Sequence, residues 1–591
     1  MTERTNTDMS KYFYRASAAD FMKIPGSPVA YWVSNQLRNC FINLPLIGDG
    51  ASAVCGMTTG ENARFVREWF EISINKFSPN MKSQEQAAAS NFRWFPYAKG
   101  GQFRKWYGNA ECVVDWENNG NRIISSGRAS PRARHHYFKP SVSWSFISSS
   151  HFGARQQPPG FIFDMAGCSL FPKDEAELSF YTALMCAKTA AVFLKTINPT
   201  LNYQVNNVSS IPVPRKEEYD VIVENAQLCV ELAKKDWDFY EISWDFQRNP
   251  LIERHTESHL LKELHKSFLI ENQDDIKAIK EAEELNNALL IMNYGLSGEI
   301  EPEIQLGEVT LSRNPSYRYD SDITTDALAS RLRSDDLIEL LSYSIGCMMG
   351  RYSLDKPGLI LASQGETIQD YLAQIPSPKF MPDDDAILPL TDQEWFTDDV
   401  ANRFREFVKV VWGEDTLQEN LEFVAESLCL HAIKPKKSET AMETIRRYLS
   451  TQFFADHMKT YKKRPIYWLF SSGKQKAFEC LVYLHRYNES TLSRMRTEYV
   501  TPLMGKYESQ IRHIEEQQET ATTAEKNKLS KALKGYQSKL NELREFDNKL
   551  KHYADRRISL DLDDGVKVNY GKFGDLLAKV KEITGKAPET D

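Results

Sequence analysis

The sequence predicts an α/β domain followed by mostly α-helical domains, with a C-terminal helical hairpin or short coiled coil. Three observations carry this prediction. Between residues 46 and 217 Gly, Ser and Pro are frequent and apolar runs are short; in Val142-Ser143-Trp144-Ser145-Phe146 large residues alternate with serine, as on a half-buried strand. From residue 218 the chain turns rich in Glu, Lys, Leu and Ala, the composition of helices. Near the end, Leu529, Leu533, Tyr536, Leu540, Leu543 and Leu550 recur at an alternating three–four spacing, the seam of packed helices.

The elements follow in order. Residues 1–45 mix aromatic and polar residues around Pro25-Gly26-Ser27-Pro28, too little for a core, and read as a joining segment that continues from a preceding domain. The 46–217 segment holds short apolar runs at Cys112-Val113-Val114, Arg122-Ile123-Ile124 and Phe161-Ile162-Phe163, then one helix from about Glu175 to Thr196. An extended stretch, Val208 to Pro214, closes it with prolines. Residues 218–390 read as a helical linker domain, with helices at Tyr219–Phe239, Leu260–Asn293 and Asp335–Met349, ending in the Pro-rich loop Pro376 to Leu390. Residues 391–505 read as a helical C-terminal domain and 506–591 as the hairpin and tail, with a turn near Glu519 to Thr523. Asp547 falls where the seam requires an apolar residue, so the seam is expected to stop there.

At 591 residues the chain is long enough for three to five domains. Its apolar content of 41% and charged content of 26% are those of a globular protein. The net charge of -8 excludes a uniformly basic nucleic-acid coat, but not a local basic face. Nine cysteines without a CxxC pair argue against a disulfide framework or zinc site and for free thiols in a reducing compartment. The first residues lack the basic-then-apolar pattern of a signal peptide, and the most apolar stretch, Tyr181 to Ile197, is interrupted by Lys188 and Lys195. No membrane association and a cytoplasmic (bacterial) location are therefore expected.

Common catalytic signatures are missing. There is no GxxxxGK[ST] loop and no HExxH. His135-His136 are adjacent and are expected to face different ways. Asp561-Leu562-Asp563-Asp564-Gly565 lacks the downstream Glu of a calcium loop and reads as an acidic turn, so no metal is expected.

The charge is concentrated elsewhere. From Asn91 to Gly160 there are ten Lys or Arg and three Asp or Glu, interleaved with Trp94, Phe95, Tyr97, Phe103, Trp106 and Tyr107. Cations neutralise phosphates and a few reach base edges, so the segment suits double-stranded DNA or another polyanion. Lys99, Arg104, Lys105, Arg128, Arg132 and Arg134 are the candidate DNA contacts. The alternative is a solvated basic face, or arginines paired with acids elsewhere in the chain. A secondary basic cluster, Lys462, Lys463, Arg464 and Lys474, lies around Tyr467 and Trp468. It suits a DNA backbone or an acidic partner, while the two aromatics suit a core equally well.

Longer motifs carry a resemblance. Thr59-Gly60-Glu61-Asn62-Ala63-Arg64-Phe65 resembles the opening of the target-recognition domain of large adenine-specific DNA methyltransferases. Trp94-Phe95-Pro96-Tyr97 and the run Lys99 to Asn109 are more specifically similar to the PglX family of BREX phage-defence systems. Lys462 to Lys474, Tyr483 to Tyr487 and Ile558 to Tyr570 resemble that family's C-terminal region. The resemblance implies methylation of the adenine amino group at a short DNA site, with S-adenosylmethionine as methyl donor, in a catalytic domain that precedes the recognition domain.

Such a catalytic domain needs a Gly-rich cofactor turn and an Asn-Pro-Pro-aromatic loop that receives the flipped base. Gly48-Asp49-Gly50 and Asn314-Pro315-Ser316-Tyr317 have only the outline of these, and Asn198-Pro199-Thr200 reads as a helix stop. The expectation is therefore a target-recognition and C-terminal part of such an enzyme, holding no cofactor itself. S-adenosylmethionine would bind in the missing catalytic domain. DNA, other BREX proteins or a separate catalytic half are the expected partners. The alternatives are a non-catalytic scaffold of a defence complex, and a complete methyltransferase with diverged motifs.

Overall fold

In a computed structural model, residues 17–148, 151–215, 217–319 and 323–587 are described. The chain divides into two compact units: residues 1–66, 78–237 and 272–321 form the first, and 67–77, 238–271 and 322–591 the second. The segments expected from composition are thus grouped by long-range packing.

The first unit is built on sheets. In one, Ala51–Val54, Gly167–Pro172, Ser141–Ser145 and Ala154–Gln157 lie side by side in that order, all antiparallel. The Ser141–Ser145 strand is central, and Ser141 and Ser143 are buried along with Val142 and Trp144. The half-buried strand expected from the alternation is covered on both faces: small serines leave room where large residues would not fit. In the second sheet Trp94–Ala98 pairs antiparallel with Cys112–Asp115 and parallel with Ile162–Phe163. Aromatic edges tie this core together: Phe163 meets Phe171 at 5.3 Å, Tyr137 at 5.5 Å, and Phe95 meets Phe138 at 5.6 Å.

The expected helix from Glu175 to Thr196 is two helices, Leu178–Cys186 and Lys188–Ile197, bent by 69°. Ala187 adopts an extended conformation, and the Lys188 N–H donates to the Asn287 side chain at 3.0 Å instead of continuing the helix. Among the described residues no single helix is long and apolar enough to cross a membrane. The run Arg122-Ile123-Ile124 lies in a helix rather than a strand. Val208 belongs to the short helix Val205–Ser209, after which the chain extends and pairs with residues 45–47.

The second unit is largely helical. Thr325–Met348, Val400–Trp412, Leu417–His431 and Ala441–Thr451 bury their apolar faces together. A sheet of Tyr467–Ser471, Glu479–Tyr483 and Ile387–Pro389 sits among them, all antiparallel; a purely helical region was expected there. Thr501–Thr520 and Thr523–Asp555 form the expected hairpin, turning at Ala521-Thr522. Asp547 does not end the seam. It is buried against Arg496 at 2.8 Å, and Leu550 and Tyr553 continue the buried face. The helix entering the hairpin relaxes into a π turn over Met495–Val500 just before Pro502. Proline supplies no N–H and crowds the carbonyl four residues earlier, so the turn widens there.

Candidate nucleic-acid interface

The ten basic residues of the 91–160 segment separate into two groups. Arg104 and Lys105 were expected to meet DNA, and the structure corrects this: their side chains are only 9% and 6% exposed. Arg104 lies 3.7 Å from Asp236, donates to the Thr310 carbonyl and Ser312 hydroxyl at 3.3 and 2.9 Å, and stacks over Trp237 at 5.0 Å. Burial raises the Asp236 carboxyl, while Arg104 and the Ser312 and Arg313 N–H groups pull it back. Lys105 pairs with Glu283, which also accepts from Trp106 Nε1 at 2.6 Å. Burial opposes the Lys105 charge, but Glu283 outweighs it and holds the ammonium above its ordinary value. These two cations fasten a loop to the unit's interior, the alternative of pairing with acids elsewhere.

Arg155 is also fully buried and donates to the Arg104 carbonyl at 3.3 Å. Arg93 and Arg122 share the buried Asp115 at 3.0 and 2.8 Å. Lys99 is partly exposed, 3.9 Å from Asp164 and 5.9 Å from the Tyr97 ring centre.

The second group is open to solvent. The Arg128 side chain is 70% exposed and touches Glu61 at 2.8 Å. Arg132 and Lys139 are exposed, and among the described residues neither has a carboxylate within ion-pair reach. Arg134 is partly exposed, with its guanidinium 5.4 Å from the Trp116 ring centre.

Local structure fixes this stretch. Thr58 and Ser130 exchange two backbone hydrogen bonds, at 3.2 and 2.9 Å, pinning the loop midway between Arg128 and Arg132. Gly60, in the left-handed region at φ 72°, lets the Arg128 backbone lie directly against it. Asn118, Asn119 and Gly120 run left-handed in succession over the Trp116 ring, where a Cβ on Gly120 would be driven into the indole. Ala133 is left-handed at φ 51° and starts the 3₁₀ turn Arg134–His136. In that turn the two histidine rings lie 4.1 Å apart, and His136 stacks on Phe171 at 4.2 Å, so they do not face different ways. Burial, with His135 and Lys139 nearby, lowers His136 to about 4, so it is neutral near pH 7.

Sequence reasoning missed Lys139 and Arg122 as exposed members of this stretch. A signal for them exists: from residue 118 to 163 the chain has no Asp or Glu and six Lys or Arg.

The secondary cluster lies in the second unit. Lys462 and Lys463 are exposed and left-handed, at φ 49° and 59°, and Lys474 is exposed. Arg464 lies 3.6 Å from the buried Glu71, and Tyr467 and Trp468 belong to the core.

The candidate catalytic motifs serve as caps. Asn314 is fully buried; its Nδ2 donates to the Leu306 and Val309 carbonyls, both at 2.8 Å, and its Oδ1 accepts from the Ser316 N–H at 3.1 Å. The amide is held in the interior by these bonds, out of reach of an adenine amino group. Tyr317 donates to the Phe103 carbonyl. Asp49 accepts from the Leu46 N–H at 2.8 Å, and the Tyr181 hydroxyl fills the space beside Gly50. The acidic turn is likewise occupied: Lys76 pairs with Asp563 at 2.6 Å and Arg67 donates to its carbonyl. No cluster of potential metal ligands occurs among the described residues.

Two curated relatives bear on this geometry. The chain is 47% identical over 574 residues to the adenine-specific methyltransferase BrxX of Escherichia coli O9:H4 (strain HS). It is 37% identical over 578 residues to the adenine-specific methyltransferase PglX of Lacticaseibacillus casei (strain Zhang). The chain is a homologue of these BREX methyltransferases. The match covers 96% and 95% of the chain but 46% and 45% of the relatives, so it spans about half their length. No family model matches the chain.

Proposed function

We propose that this chain is the DNA-reading part of a BREX adenine-specific methyltransferase, acting in host DNA modification and phage defence, with the methyl-transfer chemistry carried outside it. The observation that supports this reading most is the acid-free stretch 118–163, whose Arg128, Arg132 and Lys139 stand in solvent on a loop pinned by the Thr58–Ser130 bridge. Exposed cations on a fixed loop neutralise phosphates and release counterions, and of these three only Arg128 has, among the described residues, an ion pair to exchange, a surface one with Glu61. Arg134 beside Trp116, and Lys99 at the edge, extend the same contact.

S-adenosylmethionine does not fit the residues considered for it. Gly48-Asp49-Gly50 is closed by Tyr181, and Asn314 is consumed as a cap. In this reading the cofactor and the flipped base belong to a catalytic half, covalently joined or separate, and the chain's partners are duplex DNA and that half or other BREX proteins. Lys462, Lys463 and Lys474 add a second cationic surface for DNA or an acidic partner.

Two measurements on the full chain test this. A mobility shift with long duplex DNA at low salt is expected to show retardation; its absence would favour a non-catalytic scaffold. A calorimetric titration with S-adenosylmethionine is expected to show no binding heat; saturable heat would indicate a complete methyltransferase.

A further inference from the structure

The strand register of the first sheet places two thiols together. Val54 pairs with Ser169, and one step further along the antiparallel ladder Cys55 stands opposite Cys168. Directly opposed residues have Cα atoms about 4.5–5.5 Å apart, within the span a disulfide bridges. The two sulfur atoms lie 3.1 Å apart. Cys168 is fully buried at the start of the Gly167–Pro172 strand, whereas Cys55 is partly exposed just past the end of Ala51–Val54. One thiol is therefore reachable from solvent and the other is held behind it.

We propose that Cys55 and Cys168 form a reversible thiol–disulfide modification site that reacts with hydroperoxides.

Cys55 is the attacking group. The hydrogen bond from Cys168 pulls its thiol below the ordinary range, and Arg132 adds to this against the opposing effect of burial. The Cys168 thiol is raised, first by donating that hydrogen bond and then by burial, so it stays protonated until its partner reacts. The Cys55 thiolate attacks the proximal oxygen of hydrogen peroxide, the O–O bond breaks, and Cys55 becomes a sulfenic acid with release of hydroxide. The Cys168 sulfur then attacks the Cys55 sulfur. The S–O bond breaks, the Cys168 proton and the departing hydroxyl leave as water, and the disulfide forms. Two thiols and one peroxide thus give one disulfide and two waters. The backbone already holds the two residues opposite each other, so closure needs only rotation of the side chains.

The seven other cysteines provide an internal comparison. No other sulfur–sulfur contact occurs among the described residues. Burial raises Cys40, Cys186, Cys229, Cys347 and Cys480, which makes them poor nucleophiles.

The test is peptide mass spectrometry on the full chain. The protein is treated with hydrogen peroxide, remaining thiols are blocked with N-ethylmaleimide, and the digest is read for cross-linked peptides. A single dominant Cys55–Cys168 linkage, two hydrogens lighter than the reduced pair and reversed by dithiothreitol, is expected. Cys55→Ser, at a partly exposed position, should abolish the linkage and leave Cys168 unoxidised. Cys168→Ala should leave a sulfenic acid on Cys55 that dimedone traps. Recovery of both cysteines as separate N-ethylmaleimide adducts would overturn the proposal. So would their separate over-oxidation, or a linkage spread over other cysteines.

Discussion

Lys105 separates a structural role for the basic segment from a DNA-contacting one. Its ammonium is buried against Glu283, and that carboxylate is itself buried and accepts from Trp106. Lys105→Ala leaves Glu283 buried with one neutral donor and no counter-charge. Removing one partner of a buried pair costs about 3–5 kcal/mol. For a unit of this size that lowers the midpoint of its thermal transition by about 5–9 °C. Because Glu283 holds the folded Lys105 above its ordinary value, the contribution is complete below the unfolded lysine pKa of about 10.4 and is lost only as pH rises through the folded value. In the wild-type chain the contribution of the Lys105 charge should therefore be the same at pH 6 and pH 9, and Lys105→Ala loses it. The double variant Lys105→Met/Glu283→Gln, which removes both charges, should recover most of it. Differential scanning calorimetry gives the midpoints, and fluorescence anisotropy at low temperature gives DNA affinity of the folded fraction. A Lys105→Ala protein with the wild-type midpoint but a salt dependence of DNA binding shallower by about 0.9 would refute the reasoning and return Lys105 to the phosphate-contacting set.

Three further outcomes follow from the same geometry. Asn314→Ala strands the Leu306 and Val309 carbonyls and removes the cap on Ser316, so it should destabilise the first unit by about 2–4 kcal/mol; unchanged unfolding by near-ultraviolet circular dichroism would show that the side chain is not the cap described. Gly120→Ala forces a Cβ into Trp116 at a left-handed position and should cost about 1–3 kcal/mol, with a change in tryptophan fluorescence; a neutral substitution would contradict the packing. His457 and His485 are fully buried, and burial, with Arg351 nearby, lowers both to about 3. Between there and about 6.5 the unfolded chain binds more protons, so the stability they contribute is complete above about pH 6.5 and falls as pH drops. By pH 5 the loss is about 2 kcal/mol for each histidine, which His457→Gln should halve; a transition of the second unit that does not move between pH 7 and pH 5 would contradict it.

Much of the architecture was legible because it rests on local pattern. The helices Tyr219–Asp238 and Leu261–Tyr294 and the turn of the hairpin follow from periodicity and composition. The strand Tyr467–Ser471 was not legible: Tyr-Trp-Leu-Phe is apolar without alternation because both faces are covered, and such a run does not distinguish strand from buried helix. The break at Ala187 depends on Asn287, a hundred residues away in sequence. Asp547 read as a stop because its partner Arg496 lies on another helix.

The candidate interface was legible only as a charge contrast. Composition found the basic segment but did not sort it: Arg104 and Lys105 look like phosphate ligands until Asp236 and Glu283, from distant helices, are seen to neutralise them. Arg128, Arg132 and Arg134 are adjacent to no acid in sequence, and Arg132 meets none in space among the described residues. The stretch that holds the solvent-facing cations is marked in the sequence itself by an uninterrupted absence of acids from 118 to 163, although the buried Arg155 and the Asp115-paired Arg122 fall within it too.

The central claim is that the loop carrying Arg128, Arg132 and Lys139 lies on DNA. It is tested most directly by anisotropy with a duplex across about 50–200 mM salt, comparing the full chain with its Arg128→Ala/Arg132→Ala/Lys139→Ala variant. The variant should unfold at the wild-type temperature, bind more weakly at low salt, and show a log–log salt slope shallower by about 2.7, the loss of three phosphate contacts. A folded variant with the wild-type affinity and slope would contradict the account.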